Sequence, residues 1–500
     1  VIGKFAKKTG LLLWALILTV ALSACMSGGG KDNKAVGGMD REDSGSLKVA
    51  FFDEQAFYMQ YGNTFQAMFP NVQLEVIPTE SAFEAEDPAA AMEKILDEQK
   101  PDALFLTEEQ YAALAKKGKL YDLDAVVKQD EFDLDSFLPS VIGLLKAQGG
   151  GKLYGLSPDF TSQALYYNKD LFDQHGIPYP TDGMSWEEVI QLASRFPVKK
   201  GSNNDAVPGK PFSDDALYGL FQSSDANNPA ELIRTIGEAK GLLYADAEAK
   251  TVSVDTPEWK SIFQLVTDGY KTGAISMPSE GGSGGSGMEM RAVGGRKTMR
   301  FGPDSMRFMT GQAAMAIDGP MLKEMLGMEQ RMKDEGGGGA KVEGGKGGGP
   351  LPFKDINWDV VTVPTDPSQP DVTGAIHLES IFSINASSEN LPAAWEFLKY
   401  VNGEQLAKTS AKSSPMLSSR TAYKKEMEGK NIDAFYALGA NEQIQLQTFP
   451  AGFANSFAAL VSDQVKKIVD GTQTVDQALK TIQTQGQDLL TKAIVDEEQG

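Results

Sequence analysis

The chain has 500 residues, 41% hydrophobic and 23% charged, an ordinary globular composition long enough for two substantial cores. A formal net charge of −21 excludes the basic footprint that nucleic acid or anionic lipid requires. One cysteine and two histidines exclude a disulfide framework, a Cys/His zinc site and a Cys–His catalytic pair, and the 52 glycines, which cluster, are the compositional outlier.

Lys4, Lys7 and Lys8 precede an apolar run from Leu11 to Leu22, and Ser23, Ala24 and Cys25 follow it. A basic start, a short apolar middle and small residues at the end are the pattern of a secretory signal, here 1–24. The run falls short of the ~18–20 apolar residues of a membrane span. Leu22-Ser23-Ala24-Cys25 also resembles the bacterial lipobox. That resemblance implies that Cys25 takes a thioether-linked diacylglycerol, such as a palmitate-bearing one, and becomes the mature N-terminus. Each buried methylene contributes roughly 0.8 kcal/mol, so two or more acyl chains anchor stably. An ordinary signal with an incidental cysteine is the alternative. Residues 25–46 then read as the lipidated cysteine and a flexible tether rich in Gly, Ser, Asp and Lys. The expected location is the extracytoplasmic face of a bacterial cell membrane.

From Leu47 the pattern is α/β. Leu47, Val49 and Phe51 alternate with polar or small residues, as do Val72, Leu74 and Val76, and both runs predict strands. Between them Phe57, Tyr61, Phe65, Met68 and Phe69 recur at helical spacing. Ala103 to Leu106 predicts a third strand and Glu108 to Lys117 a helix. Strand–helix–strand–helix implies a parallel sheet with crossover helices, whose ligands sit beyond the carboxyl ends of the strands, here Phe52-Asp53 and Leu106-Thr107-Glu108.

Further along, Ser185-Trp186-Glu187-Glu188 has the spacing of a capping box. Pro392 opens a helix with Ala394, Phe397, Leu398 and Val401 on one face, and Val475, Ala478, Leu479 and Ile482 form a similar stripe. Glycine-rich tracts at 281–287 and 336–349 predict mobile loops, about 280–303 and 335–350, because they cannot bury enough apolar surface to offset their ordering entropy. The first tract matches Gly-x-Ser-x-Gly and Gly-x-Gly-x-x-Gly by chance, since neither flank has the strand and helix those motifs need.

The blocks Gly151-Lys152-Leu153-Tyr154-Gly155-Leu156, Leu165-Tyr166-Tyr167-Asn168-Lys169-Asp170-Leu171-Phe172 and Ser185-Trp186-Glu187-Glu188 together resemble the family 1 extracellular solute-binding proteins of ATP-binding-cassette importers, the maltose-binding-protein-like group. Met309 to Pro320 is similar to the family's Gly-x-x-Ala-Met block, Asn385 to Asn402 to its late helix, and Gly471 to Leu479 to a common C-terminal segment. The resemblance spans about Leu47 to Gln483. It implies a periplasmic-binding-protein-like α/β fold, with two lobes joined by hinge crossings and a ligand cleft between them. By analogy lobe I comprises 47–158 and 376–432, lobe II comprises 163–372 and 433–500, and the hinges fall near 156–162, 372–379 and 430–435.

A cleft for polar solutes needs aromatic faces and hydrogen-bonding side chains, and carboxylates accept the strongest bonds from sugar hydroxyls. Candidates at strand ends and crossings are Phe52, Asp53, Glu108, Asp159, Phe160, Tyr218, Asp318 and Phe453. Asp53 and Glu108 also suit a helix start, and Phe160, Tyr218 and Phe453 also suit a core. The family's Trp after Gly-Pro is Met321 here and its third-strand Trp is Leu106, which argues against maltodextrin. The resemblance implies a monomeric binding protein, not an enzyme, without cofactor or metal. Its solute is expected to be a sugar or oligosaccharide, and its partners are membrane permease subunits. An extracytoplasmic carbohydrate-active enzyme, with paired carboxylates about 5–9.5 Å apart, is the competing reading. A solute-sensing lipoprotein uncoupled from transport is another.

Overall fold

Two strand groups with period-two alternation and near-continuous apolar runs build two separate sheets in the computed structural model. It describes residues 37–85, 87–197, 217–222, 228–277, 288–293, 296–301, 307–334, 355–427, 429–441, 449–450 and 452–499, and side chains except at 278–306, 328–354 and 497–500. The secretory signal, Cys25 and both glycine-rich tracts lie outside the described residues. In chain order the principal strands are β1 (Gly45–Phe51), β2 (Val72–Pro78), β3 (Ala103–Leu106), β4 (Gly155–Leu156), β5 (Ala164–Asn168), β6 (Tyr218–Gln222), β7 (Ala313–Asp318), β8 (Trp358–Thr362) and β9 (Ile381–Ile384).

The first sheet has the order β2-β1-β3-β9-β4. β1 runs parallel to β2 and β3, whereas β9 is antiparallel to β3 and β4. The second sheet has the order β8-β5-β7-β6, with β7 parallel to β6 and antiparallel to β5. Its β5 is buried at every position and reads Ala-Leu-Tyr-Tyr-Asn, as expected of a strand covered on both faces.

The principal helices are α1 (Glu108–Lys116), α2 (Trp186–Ala193), α3 (Pro229–Ala239), α4 (Pro257–Thr272), α5 (Pro320–Asp334), α6 (Leu391–Val401), α7 (Phe453–Val469) and α8 (Val475–Gln499). The Ser185 capping box forms: Glu188 N–H donates to Ser185 Oγ at 3.2 Å, and Ser185 N–H donates to the Glu188 carboxylate at 2.8 Å. A second box, Thr107 with Gln110, starts α1 and places Glu108 as its first residue. The helices α2, α3, α4, α7 and α8 share one core with the second sheet, including Leu165, Leu220, Met315, Trp186, Ile236, Phe263, Val465 and Leu479.

Three expectations change. The helix between β1 and β2 is interrupted by a π-helical turn at Tyr58–Gly62, which leaves Phe57 and Phe65 buried but Met68 37% exposed. The expected tether ends sooner, because Gly45 and Ser46 already pair with Val72 and Gln73. The loop expected at about 280–303 contains an antiparallel hairpin, Met288–Val293 with Arg296–Phe301. Its alternating sequence supports strands where the glycine tract before it does not.

Short strand pairs connect the sheets. Residue 161 of the chain leaving β4 pairs with residue 377 of the chain entering β9: Thr161 N–H donates to His377 O at 2.9 Å, and His377 N–H donates to Thr161 O at 3.0 Å. Asp159–Phe160 pairs with Leu417–Ser418, and Val372–Thr373 pairs with Gly439–Ala440. The chain therefore crosses between the sheets on hydrogen-bonded ribbons.

Candidate functional site

Register identifies the edge of each sheet that faces the crossings. In the first sheet Phe51 pairs with Pro78, Leu106 with Ile381, and Phe382 with Leu156. The crossings leave from Leu156 and return at Ile381, so Phe52, Thr79 and Glu108 also belong to this edge. In the second sheet Ala164 pairs with both Asp318 and Thr362, and Ile317 pairs with Gln222. Ala164 follows the first crossing directly, which puts Asp318 and Gln222 at the facing edge.

At the first edge Phe52 is 39% exposed and lies edge-on to Phe83 at 5.6 Å. Its neighbour Asp53 caps the next helix, accepting from Ala56 N–H at 2.8 Å. Glu108 Oε1 accepts from Leu378 N–H at 2.7 Å, and its Oε2 lies 3.8 Å from His377 Nδ1. Asp159 lies in the first crossing with Oδ1 buried and no hydrogen-bond partner among the described residues. Burial, opposed by a hydrogen bond with Ser380 and reinforced by Glu379, pushes its carboxyl up to about 6.

At the second edge Asp318 accepts from Gly319 N–H at 2.7 Å, and Tyr166 OH donates to Gly319 O at 2.7 Å. These bonds shape the turn into α5, whose Met321 is 39% exposed. Buried Gln222 ends β6 with its Oε1 lacking a partner among the described residues.

Three sequence candidates lie elsewhere. Phe160 is 0% exposed and packs edge-on against Tyr436 at 5.3 Å, since its strand pairing turns the ring into the interior. Phe453 is 1% exposed, because the helical stripe of α7 faces the core of the second sheet. Tyr218 begins β6, opposite Ala313, whereas Gln222 at its other end reaches the facing edge. Four residue steps separate the two, about 13 Å. Tyr218 instead packs beneath the Arg307 guanidinium at 5.1 Å.

A cavity of about 220 Å³ lies among α3, α4 and α7. Its apolar wall includes Tyr244, Trp259, Phe263 and Phe457, and its polar residues are Asn228, Glu231, Arg234 and Asn455. Tyr244 stacks on Phe457 at 4.8 Å and on Phe449 at 5.4 Å. Arg234 Nε donates to Glu231 at 3.0 Å, and the same guanidinium pairs with Glu238 one turn on. Burial pushes the Glu238 carboxyl up against the opposing pull of Arg234. Asn228 caps α3 and accepts from Ala230 N–H at 3.0 Å. None of these cavity residues was a sequence candidate. The signal available was helical spacing of Glu231, Arg234 and Glu238, which by itself is an ordinary i,i+3/i+4 ion network.

Among the described residues no group of three or more His, Cys, Asp or Glu could hold a metal ion, and no helix is long and apolar enough to cross a membrane.

Two α/β lobes joined by paired crossing strands define the periplasmic-binding-protein fold. The chain belongs to the bacterial extracellular solute-binding protein family, whose pattern it matches over residues 60–441. Solved structures share the fold. A sugar transporter from Rhizobium etli in an open conformation superposes with a TM-score of 0.61 at 20% identity, covering 89% of this chain and 99% of that one. The sugar-binding protein MalE of Xanthomonas citri gives 0.62 at 16% identity, covering 91% and 100%. The GacH receptor of Streptomyces glaucescens, solved unliganded and with acarbose, gives 0.55 at 18%, covering 90% and 99%. A putative binding protein of Brucella abortus is 35% identical over 94 residues, 18% of this chain. That match spans about a fifth of the relative's length (21%).

Proposed function

We propose that this protein captures a sugar or short oligosaccharide outside the cell and delivers it unchanged to the permease of an ATP-binding-cassette importer. The observation that carries this reading is the 220 Å³ cavity, with an aromatic wall and a carboxylate–guanidinium–amide set beside it. Apolar C–H faces of a sugar stack on aromatic rings, and its hydroxyls exchange charge-assisted bonds with Glu231 and Arg234. The volume lies below the ~300 Å³ at which sites for drug-sized ligands begin, which suits one sugar ring more than a long chain. Similarity to proteins described as sugar transporters and sugar-binding proteins supports the same class.

In this reading Phe52, Met321, Asp318 and Gln222 border the cleft between the lobes. Asp53, Glu108 and Asp159 shape its edge and hinge. Lobe I comprises 47–158 with 376–432 and lobe II comprises 163–372 with 433–500. Ligand favours the conformation in which the lobes close, and the permease recognises that conformation by differential contact. The protein acts as a monomer held at the membrane through lipid on Cys25.

The test is a thermal-shift and calorimetric panel of monosaccharides, disaccharides and oligosaccharides, with mass spectrometry of the recovered ligand. One sugar is expected to raise the melting temperature, by linkage, and to return intact. No stabilisation by any sugar, or recovery of cleaved product, overturns the proposal. Globomycin treatment of expressing cells, which blocks lipoprotein signal cleavage, tests the Cys25 anchor separately.

A further inference from the structure

The net charge of −21 belongs to the chain as a whole and reverses over one short segment. The strands Met288–Val293 and Arg296–Phe301 carry four cations, Arg291, Arg296, Lys297 and Arg300, against the single anion Glu289. They pair antiparallel, and among the described strands they pair only with each other. Gly294-Gly295 separates them in the sequence, a link of the length and composition that a tight hairpin uses.

Residues directly opposite one another in an antiparallel pair lie on the same face of the sheet. The register sets Met288 against Phe301 and Met290 against Met299 on one face, with Ala292 opposite Lys297 nearest the link. The other face sets Glu289 against Arg300, Arg291 against Thr298 and Val293 against Arg296. The strand period of two thus sorts methionine and phenylalanine onto one face and the arginines onto the other. A lone two-stranded hairpin is marginally stable at best in water and becomes independently stable only when its apolar face is covered.

We propose that this hairpin is a membrane-surface element that settles on anionic lipid, with acyl chains covering the face of Met288, Met290, Met299 and Phe301 and headgroup phosphates pairing with the arginines. Apolar area and basic charge together are what binding at a bilayer interface requires, and guanidinium groups meet phosphate oxygens two at a time. The segment opposes the sign of the rest of the chain, so an anionic surface attracts the hairpin and repels the acidic body, which orients the protein on it. Residues 26–36 separate Cys25 from the described fold, at most ~40 Å of extended chain. A lipid on Cys25 keeps the hairpin near a bilayer, and this one support rests on the anchor reading of the proposed function, whereas charge and register stand apart from it.

Flotation of the chain from residue 26 onward, which lacks Cys25 but keeps every described residue, tests the hairpin independently of the anchor. The vesicles are phosphatidylcholine alone, or equal parts of phosphatidylcholine and phosphatidylglycerol. Partitioning is expected to be about tenfold or more stronger onto the anionic vesicles and to fall as salt rises. Arg291→Gln and Arg300→Gln are each expected to weaken it about fivefold, the worth of one cation at a charged surface, while Arg291→Lys and Arg300→Lys retain most of it. Met290→Ser combined with Met299→Ser is expected to weaken it about tenfold through lost apolar cover. Circular dichroism checks that each variant folds, and the arginine variants carry the test should the methionine pair fail to. No partitioning, equal partitioning onto both vesicles, or unchanged partitioning in the folded arginine variants overturns the proposal. So does retention only on vesicles that carry membrane protein, which assigns the face to a protein partner.

Discussion

Glu108 at the start of α1 accepts a hydrogen bond from Leu378 N–H at 2.7 Å, across 270 residues of chain. One carboxylate thereby joins the carboxyl end of β3 to the strand that returns from the second sheet. A charge-assisted bond at a partly buried position contributes roughly 1.5–3 kcal/mol. Glu108→Ala is expected to lower unfolding free energy by about 1.5–2 kcal/mol in urea denaturation at pH 7. Glu108→Gln retains an acceptor and is expected to lose less than half of that. Equal losses would show that the charge, and not the Leu378 bond, sets the stability.

Asp159 is an acid whose pKa is raised to about 6 by burial, against an unfolded value near 3.9. The folded state therefore binds its proton more tightly than the unfolded state. The carboxylate costs stability above pH 6, and that cost fades as pH falls from 6 to 4. Asp159→Asn is expected to raise stability at pH 8 by about 1–2 kcal/mol and to have little effect at pH 4. Denaturation midpoints at the two pH values check this, and an equal shift at both would contradict it.

Gly219 lies so close to the end of α2 that an added Cβ would fall 2.1 Å from Ala193 O. Both groups are backbone and neither can turn aside. Gly219→Ala is expected to cost about 2–3 kcal/mol, the range of an overpacked core, by forcing β6 from α2. A variant with an unchanged melting temperature would refute this close approach.

For the proposed ligand site, the position of Tyr218 supplies a control. Tyr218→Phe keeps the ring under Arg307 and lies at the far edge of the second sheet, so sugar affinity is expected to change less than twofold. Glu231→Gln, at the cavity, is expected to weaken it about tenfold, in line with the loss of a charged hydrogen bond. Titration calorimetry with the sugar found in the panel distinguishes the two, and equal effects would move the site away from the cavity.

Much of the architecture was legible in the residues. Leu47, Val49 and Phe51 announce β1, Ser185 and Glu188 announce α2, and the block around Tyr166 marks the strand that follows the first crossing. The candidates at Phe52 and Glu108 reach the facing edge because the carboxyl end of a parallel strand can be inferred from strand order, whereas Asp318 came from the Gly-x-x-Ala-Met block. Phe160 and Phe453 lie buried in the interior, since aromatic content does not distinguish a ring facing a cleft from one filling a core. Tyr218 lies at the end of β6 away from the crossings, because an isolated strand does not declare which of its ends meets them. Asn228, Arg234, Tyr244 and Asn455, which line the cavity, come from separate segments and share no local motif.

Periodicity, capping chemistry and strand punctuation act within a few residues of one another, so the amino-acid order alone determined the elements, their class and the family they spell. Pairing of residue 161 with 377, the clamp of Glu108 on Leu378 and the cavity among three helices join positions up to hundreds of residues apart. Those contacts form only where burial of two separate cores brings distant segments together, and the tertiary structure alone decided them.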